Sequence, residues 1–195
     1  MTIGFDFDKV FINYPPFLPD GLVDFLYKGS IVFKQKEKLS SPLHYRFPRI
    51  VEQKLRALSH FPIFRSPITE NIDALNKISR KKSGQTYLVS SRFSFLHHRT
   101  DIILNKYKLK QYFDGIYFNY DNKQPHIFKE ATIKKLKIDT YVDDDLDLAI
   151  YLSKKIPTLT IYWVTDSRKS VITLPKNVIP IQNLKQLYRI LFKNE

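Results

Sequence analysis

The chain has 195 residues and a mass of 23.1 kDa, a length that suits one domain with a hydrophobic core. Hydrophobic residues make up 43% of it, which excludes intrinsic disorder, and the five glycines exclude collagen-like or linker-like material. A net charge of +13 predicts attraction to an anion such as nucleic acid, a nucleotide, a phosphorylated metabolite or a membrane surface. The lack of cysteine excludes disulfides, thiolate nucleophiles and cysteine-ligated zinc.

The first apolar run and the absence of long apolar stretches bear on location. Residues 1–10 carry Asp6 and Asp8 inside their apolar run, which is unlike the core of a signal peptide. No stretch reaches the ~18 uninterrupted apolar residues that a membrane span needs. We therefore expect a cytoplasmic protein with no membrane partner.

The chain begins with a predicted strand and continues into a region rich in proline and aromatic residues. Residues 2–7 are apolar, aromatic and β-branched, which predicts a buried strand. In the following region, Ile50, Leu55 and Leu58 recur at helical spacing and predict a helix over about 48–60. We interpret residues 13–66 as a small, mainly helical insertion into a core formed by residues 1–12 and 67–195.

Strands and helices alternate through the rest of the chain. The predicted strands cover residues 86–89, 115–118, 140–142 and 158–164. Predicted helices cover about 69–82, 125–136, 146–152 and 183–192, with another through Leu96 to about Tyr107. This alternation favours right-handed βαβ units, so we expect an α/β, Rossmann-like, three-layer fold with a parallel sheet covered on both faces.

Polar residues follow the predicted strands, where open parallel sheets bind their ligands. We expect these side chains to converge if the sheet is parallel. They are Asp6 and Asp8 after the first strand, Ser90 and Ser91 after the second, Lys123 or Lys129 after the third, and Asp143, Asp144, Asp145 and Asp147 after the fourth.

Clustered carboxylates of this kind support phosphoryl transfer. They repel one another unless a hard cation neutralises them, so Asp6, Asp8 and Asp144 suit a magnesium site. Asp6 is then placed to attack phosphorus, while Asp8 protonates the leaving oxygen and later deprotonates water. The Ser90 hydroxyl is expected to hold the phosphoryl oxygens and Lys129 to cancel negative charge.

Four motifs in this order resemble those of the haloacid dehalogenase-like (HAD) superfamily of phosphohydrolases. Their order and spacing along the chain carry the resemblance more than any one motif does. They are Phe5-Asp6-Phe7-Asp8-Lys9-Val10, Leu88-Val89-Ser90, Lys129, and Tyr141-Val142-Asp143-Asp144.

The resemblance implies a role for each matching residue. It implies that Asp6 is the nucleophile, Asp8 the acid and base, and Lys129 the group that stabilises the intermediate. It implies that Ser90 binds the phosphoryl group, with Ser91 and Lys123 as further candidates, and that Asp143 joins Asp144 in holding magnesium. The position of the insertion implies a C1-type cap that selects the substrate.

Two positions depart from the common family pattern, and one assignment stays open. Lys9 and Asp143 each stand where many members have glycine, and the double aspartate resembles nucleotidase-like members. Lys123, followed by Gln124-Pro125, resembles one form of the third motif, whereas Lys129 has the spacing seen in members with a double aspartate. We prefer Lys129.

The expected reaction is magnesium-dependent hydrolysis of a phosphate monoester, with a phosphorylated small molecule or nucleotide as the partner. The main alternative is a nucleic-acid end-processing phosphatase or metal-dependent nuclease that uses the same acids. A phosphoacceptor signalling domain fits less well, because its acidic pair and acceptor aspartate precede the hydroxyl and lysine. A non-catalytic binding module is disfavoured because every required group is present.

Overall fold

The computed structural model describes residues 1–16, 43–45, 47–81, 83–165 and 173–192. Within these ranges the chain forms six strands and six α-helices. The strands are β1 (Ile3–Phe5), β2 (Thr86–Phe93), β3 (Gly115–Asn119), β4 (Thr140–Asp143), β5 (Thr160–Val164) and β6 (Val178–Ile181). The helices are α1 (Ile50–Ser59), α2 (Thr69–Lys81), α3 (His97–Lys106), α4 (Pro125–Leu136), α5 (Leu146–Lys155) and α6 (Leu184–Phe192).

The six strands form one parallel sheet in the order β3-β2-β1-β4-β5-β6. Successive side chains of a strand point to opposite faces, and both faces are buried. Leu88 and Val142 pack on one face with apolar residues of α2, α3 and α6. Val89 and Tyr141 pack on the other face with apolar residues of α4 and α5. The α/β, three-layer, Rossmann-like fold predicted from the sequence is therefore confirmed.

Local sequence signals explain where the helices beside β4 begin and end. Pro125 occupies the first turn of α4, where its missing N–H costs no hydrogen bond, and Lys137 ends the helix in a left-handed conformation. The Asp145 carboxylate caps α5 by accepting a hydrogen bond from the Leu148 N–H at 3.2 Å. The start of α5 is thus fixed directly after the carboxyl end of β4.

The largest differences from the sequence prediction are in β1, β2 and β6. β1 is shorter, since it ends at Phe5, and β2 is longer, since it continues through Ser90 and Ser91 to Phe93 with an irregular register. The prediction placed both serines after the strand, and they lie within it. β6 was not predicted because Pro180 interrupts its short apolar run, and an edge strand tolerates a proline.

The predicted insertion is described only in part. Helix α1 is confirmed, whereas residues 17–42 and residue 46 lie outside the described ranges. The two ends of the insertion meet, because the Asn13 N–H donates to the Ser66 carbonyl at 2.9 Å. The Ile68 N–H likewise donates to the Phe11 carbonyl at 2.8 Å. The division into core and cap stays a prediction.

Across the described ranges, no helix has both the length and the apolar character that crossing a bilayer requires.

Candidate active site

The order of strands in the sheet reverses between β1 and β4. The chain runs outward from β1 through β2 to β3, and then returns to place β4 on the other side of β1. Crevices at such switch points, beyond the carboxyl ends of the strands, are the usual ligand sites of open α/β sheets. Asp6 follows β1 and Asp143 ends β4, so the two carboxylates meet at this crevice.

Three aspartates cluster around one lysine at the switch point. Carboxylate oxygens of Asp6, Asp143 and Asp144 lie within 4.8 Å of one another. The Lys129 ammonium, which α4 places below them, lies 2.8 Å from Asp6 Oδ1 and 2.7 Å from Asp143 Oδ2. The other oxygen of Asp143 accepts from the Asp145 N–H at 3.0 Å. These contacts fix the carboxylates of Asp6 and Asp143 in place.

Burial controls the electrostatics of this cluster. It raises the pKa of Asp6 to about 6, since the attraction of Lys129 only partly offsets the loss of hydration. Burial also raises the pKa of Asp143, and burial with the charges of Asp143 and Asp6 holds the pKa of Asp144 well above its usual range. Burial acts to lower the pKa of Lys129, but the charges of Asp143 and Asp6 outweigh it and raise that pKa.

The donor set fits a divalent cation. All three carboxylates offer oxygen ligands, which magnesium prefers. When ionised they carry three negative charges, of which Lys129 cancels one, so a divalent ion would neutralise the cluster. Within the described part of the chain, no hydrogen bond to the half-buried Asp144 carboxylate is found, which leaves its oxygens available to a ligand. Asp6, Asp143 and Asp144 are therefore the residues that could hold Mg²⁺.

Asp8, the fourth predicted carboxylate, has different partners. It accepts hydrogen bonds from Arg65 Nη2 and Arg92 Nη2 at one oxygen, the latter at 2.5 Å, and from Arg92 Nε at the other at 2.8 Å. Among the described side chains, the group that could share one ion does not include Asp8. The structure thus separates Asp8 from the predicted metal set and places it against two arginines.

A tight turn after β1 positions Asp8. Lys9 has a φ of 52°, in the left-handed region that glycine adopts most easily, which accounts for glycine being common at this motif position. The Val10 N–H donates to the Asp8 carbonyl at 2.6 Å, and Asn71 of α2 donates to the Val10 carbonyl at 2.7 Å. The backbone therefore turns back directly behind the two aspartates.

The predicted phosphate-binding residues occupy three different environments. Ser91 lines the cavity in front of the acidic cluster. Ser90 is 1% exposed inside β2 and does not border that cavity. Lys123 is half exposed, pairs with Asp121 at 3.0 Å and also lies away from the cavity. Of the two candidate lysines, Lys129 is the one that contacts aspartates of the acidic cluster, Asp6 and Asp143.

The cavity in front of the cluster has a volume of about 430 Å³, which is enough for a small organic ligand. Part of its wall comes from the end of the predicted insertion. Tyr45 donates from its hydroxyl to Asp145 at 2.9 Å, and its backbone exchanges hydrogen bonds with the Gln124 side chain at 2.9 and 3.1 Å. The segment 43–45 is thus attached to the core beside β4.

Sequence reasoning missed three basic residues of the cavity wall. Arg56 of α1, Arg65 and Arg92 are all buried and all line the cavity. Neither arginine that contacts Asp8 belongs to one of the quoted motifs. The one available signal was the position of Arg92 directly after Ser90 and Ser91.

His60 lies in the same basic part of the wall. Burial, together with the charge of Arg92, lowers its pKa to about 3, so this histidine is neutral at pH 7.

Comparisons with known proteins identify the fold. Neither a scan against protein families nor a search of curated proteins finds a match to the sequence. Solved structures do match over nearly the full length. An uncharacterized protein from Listeria monocytogenes serotype 4b has a TM-score of 0.59 and 13% identity, covering 98% of this chain and 97% of that one.

Two further matches have named functions. A haloacid dehalogenase-like family hydrolase from Streptococcus pneumoniae has a TM-score of 0.57 and 12% identity, covering 97% of each chain. An L-2-haloacid dehalogenase has a TM-score of 0.59 and 10% identity, also covering 97% of each. At these identities the likeness concerns the fold, and the fold of this chain is that of the haloacid dehalogenase-like hydrolases.

Proposed function

We propose that this protein is a magnesium-dependent phosphate monoester hydrolase of the HAD superfamily that acts through a phospho-aspartate on Asp6. The observation that carries the proposal is the cluster of Asp6, Asp143 and Asp144 around Lys129 at the floor of a ligand-sized cavity. The fold shared with haloacid dehalogenase-like hydrolases supports it.

The reaction would proceed in two steps. A carboxylate oxygen of Asp6 attacks phosphorus, the bond from phosphorus to the ester oxygen breaks, and Asp8 gives its proton to that oxygen. Water then attacks the phosphorus of the phospho-aspartate while Asp8 takes a proton from the water, the bond from phosphorus to the Asp6 oxygen breaks, and inorganic phosphate leaves with the Asp6 carboxylate restored. Asp8 Oδ2 accepts a hydrogen bond from Arg92 Nε, and its second lone pair is where Asp8 would carry the proton.

The other residues of the cluster act on charge and position. Lys129 holds the Asp6 carboxylate in place and offsets negative charge as the phosphoryl group arrives. Ser91 is the serine that borders the cavity and is placed to bind a phosphoryl oxygen. Bound Mg²⁺, held by Asp6, Asp143 and Asp144, would supply further neutralisation of the carboxylates and the phosphate.

We further propose that residues 13–66 form the cap and select the leaving group. The described part of this segment supports the idea, because Tyr45, Arg56 and Arg65 all border the cavity.

The test replaces the proposed nucleophile. With Mg²⁺ and a generic aryl phosphate, the parent protein should release phosphate, and Asp6→Asn should lose at least about a thousandfold in kcat because the amide cannot form the intermediate. Asp121→Asn is the matched control, since Asp121 is exposed and lies outside the cavity; it should keep the parent rate.

Two outcomes would contradict the proposal. One is an Asp6→Asn variant that stays folded and as active as the parent. The other is release of halide from 2-haloacids, without Mg²⁺, by a parent that leaves phosphate esters intact, since one of the matching structures is an L-2-haloacid dehalogenase.

A further inference from the structure

Two arginines of the cavity wall are buried to an unusual degree for charged residues. Arg65, which follows α1 in the chain, is 1% exposed, and Arg92 near the end of β2 is 8% exposed. Both border the cavity that contains Asp6. Charged side chains are rarely buried to this extent unless they are paired or bind a ligand.

Both arginines contact Asp8, and Arg65 has a buried donor that Asp8 does not use. Arg92 donates hydrogen bonds to Asp8 from Nε and Nη2, and to the Thr100 hydroxyl from Nη1 at 2.8 Å. Arg65 donates to Asp8 from Nη2, but its Nε is buried and has no hydrogen-bond partner among the described residues. A buried N–H without an acceptor is costly, and in a cavity wall it marks a place where a ligand can supply the acceptor.

The electrostatics agree with this geometry. Burial, and after it the positive charge of Arg92, holds the pKa of Arg65 well below its usual value. The two guanidinium groups repel each other although Asp8 lies between them. An additional anion at this wall would relieve that repulsion.

We propose that Arg65, with the positive charge of Arg92 beside it, forms a subsite for a second oxyanion, a phosphate or a carboxylate, carried by the leaving group of the substrate. The planar guanidinium fork matches both groups. The inference rests on the proposed phosphatase function and names its substrate class, which is a phosphate ester with a second negative group at its far end.

The position of Asp8 explains why the subsite faces the leaving group. In the proposed reaction Asp8 protonates the leaving oxygen, and the two arginines flank Asp8, whereas the reacting phosphate lies over Asp6 and Lys129. Asp6 and Asp8 are two residues apart, so their α-carbons lie at most about 7 Å from each other. The two anionic groups of the substrate are therefore separated by only a few bonds.

The test uses three phosphate esters with the same three-carbon chain. They are propyl phosphate, the ester with a terminal carboxylate and the ester with a terminal second phosphate. The parent protein should hydrolyse at least one of the two anionic esters with a kcat/KM about tenfold above that of propyl phosphate, the effect of one charge-assisted hydrogen bond. The more strongly preferred ester then identifies the second group.

Variants locate the preference. In Arg65→Gln, the kcat/KM of the preferred anionic ester should fall to within about twofold of that of propyl phosphate. Arg65→Lys should keep part of the preference, because the charge remains while the planar fork of donors is lost. Arg49→Gln is the matched control, because Arg49 is exposed and outside the cavity; it should keep the full ratio. The preference for the anionic ester is the readout and not the rate itself. Arg65 also holds Asp8, so removing its guanidinium can slow the hydrolysis of all three esters.

A binding measurement separates this proposal from the phosphatase itself. In calorimetry with Mg²⁺, propane-1,3-diphosphonate should bind about tenfold more tightly than propylphosphonate, in the parent and in Arg49→Gln but not in Arg65→Gln. If this pattern holds while no ester is hydrolysed, the subsite stands and the proposed function fails. If both phosphonates bind equally and the parent prefers neither anionic ester over propyl phosphate, the subsite is refuted.

Discussion

Lys129 is the residue on which the acidic cluster depends. It is 3% exposed, and its ammonium contacts both Asp6 and Asp143. Lys123, the alternative by sequence, is half exposed and pairs with Asp121 at the surface. The two lysines differ in burial and in partners, although the sequence motif fits both.

Replacing each lysine by methionine tests this difference. Lys129→Met should lower the hydrolysis rate at least about a hundredfold, because the charge beside Asp6 is gone. In EDTA it should also lower the free energy of unfolding by about 3–5 kcal/mol, since two buried carboxylates lose their partner. Phosphate release and urea unfolding are the measurements.

Lys123→Met is the control and should stay within about twofold of the parent rate.

Added Mg²⁺ should raise the unfolding temperature of Lys129→Met more than that of the parent, because the cation binds only the folded cluster and meets more negative charge there. Equal activity losses in the two variants would contradict the assignment of Lys129.

At the scale of elements, the end of α1 carries a buried histidine. His60 follows the last residue of the helix, its N–H donates to the Arg56 carbonyl at 3.1 Å, and its Nδ1 lies 2.7 Å from the same oxygen. Its pKa in the folded protein is about 3, below its ordinary value of 6.5. Below pH 6.5, His60 therefore binds a proton in the unfolded chain, while in the folded chain it stays neutral down to about pH 3.

This difference predicts an acid-labile contribution to stability. As the pH falls from 6.5 to about 4.5, His60 should reduce the free energy of unfolding by about 1–3 kcal/mol. Urea unfolding across this range should show a shallower pH dependence for His60→Gln than for the parent. His98→Gln, at an exposed histidine, should follow the parent; equal slopes in the parent and His60→Gln would contradict the account.

At the scale of the whole molecule, the positive charge is unevenly spread. Residues 28–66 contain nine lysines and arginines and two glutamates, a net charge of +7, whereas the preceding stretch 13–27 carries two aspartates and no lysine or arginine. The acidic cluster lies at the switch point of the sheet. From this excess of positive charge we expect attraction to phosphorylated substrates and weak binding of nucleic acid.

The salt dependence of oligonucleotide binding distinguishes nucleic acid from a phosphorylated small molecule as the substrate. We expect single-stranded oligonucleotides to bind in a gel shift at low salt and to be released at about 150 mM salt, as for contacts that rest on charge alone. A 5′-phosphorylated oligonucleotide should then lose its phosphate no faster than a mononucleotide. Faster removal from the oligonucleotide at that salt concentration would favour the end-processing alternative.

Much of the fold was predictable because its signals are local. The apolar period of α4 and the proline at its first turn predict its bounds, and the run around Tyr141 predicts β4. β6 was missed because Pro180 interrupts its apolar run. Its place at the edge of the sheet, where a proline is tolerated, depends on the order of the strands and is not visible in the local sequence. The extension of β2 through Ser90 was missed because polar residues look like a strand end, while pairing with β3 continues there.

The sequence alone determined the α/β class, the positions of Asp6, Asp8, Asp143 and Asp144 after parallel strands, and their resemblance to a known set of motifs. Only the tertiary structure decided which groups touch. It places Lys129 rather than Lys123 against Asp6 and Asp143, separates Asp8 from this acidic cluster, and brings Arg65 and Arg92 to Asp8 from segments distant in sequence. Period and propensity are properties of neighbouring residues, whereas ion pairs and burial depend on the packing of distant ones.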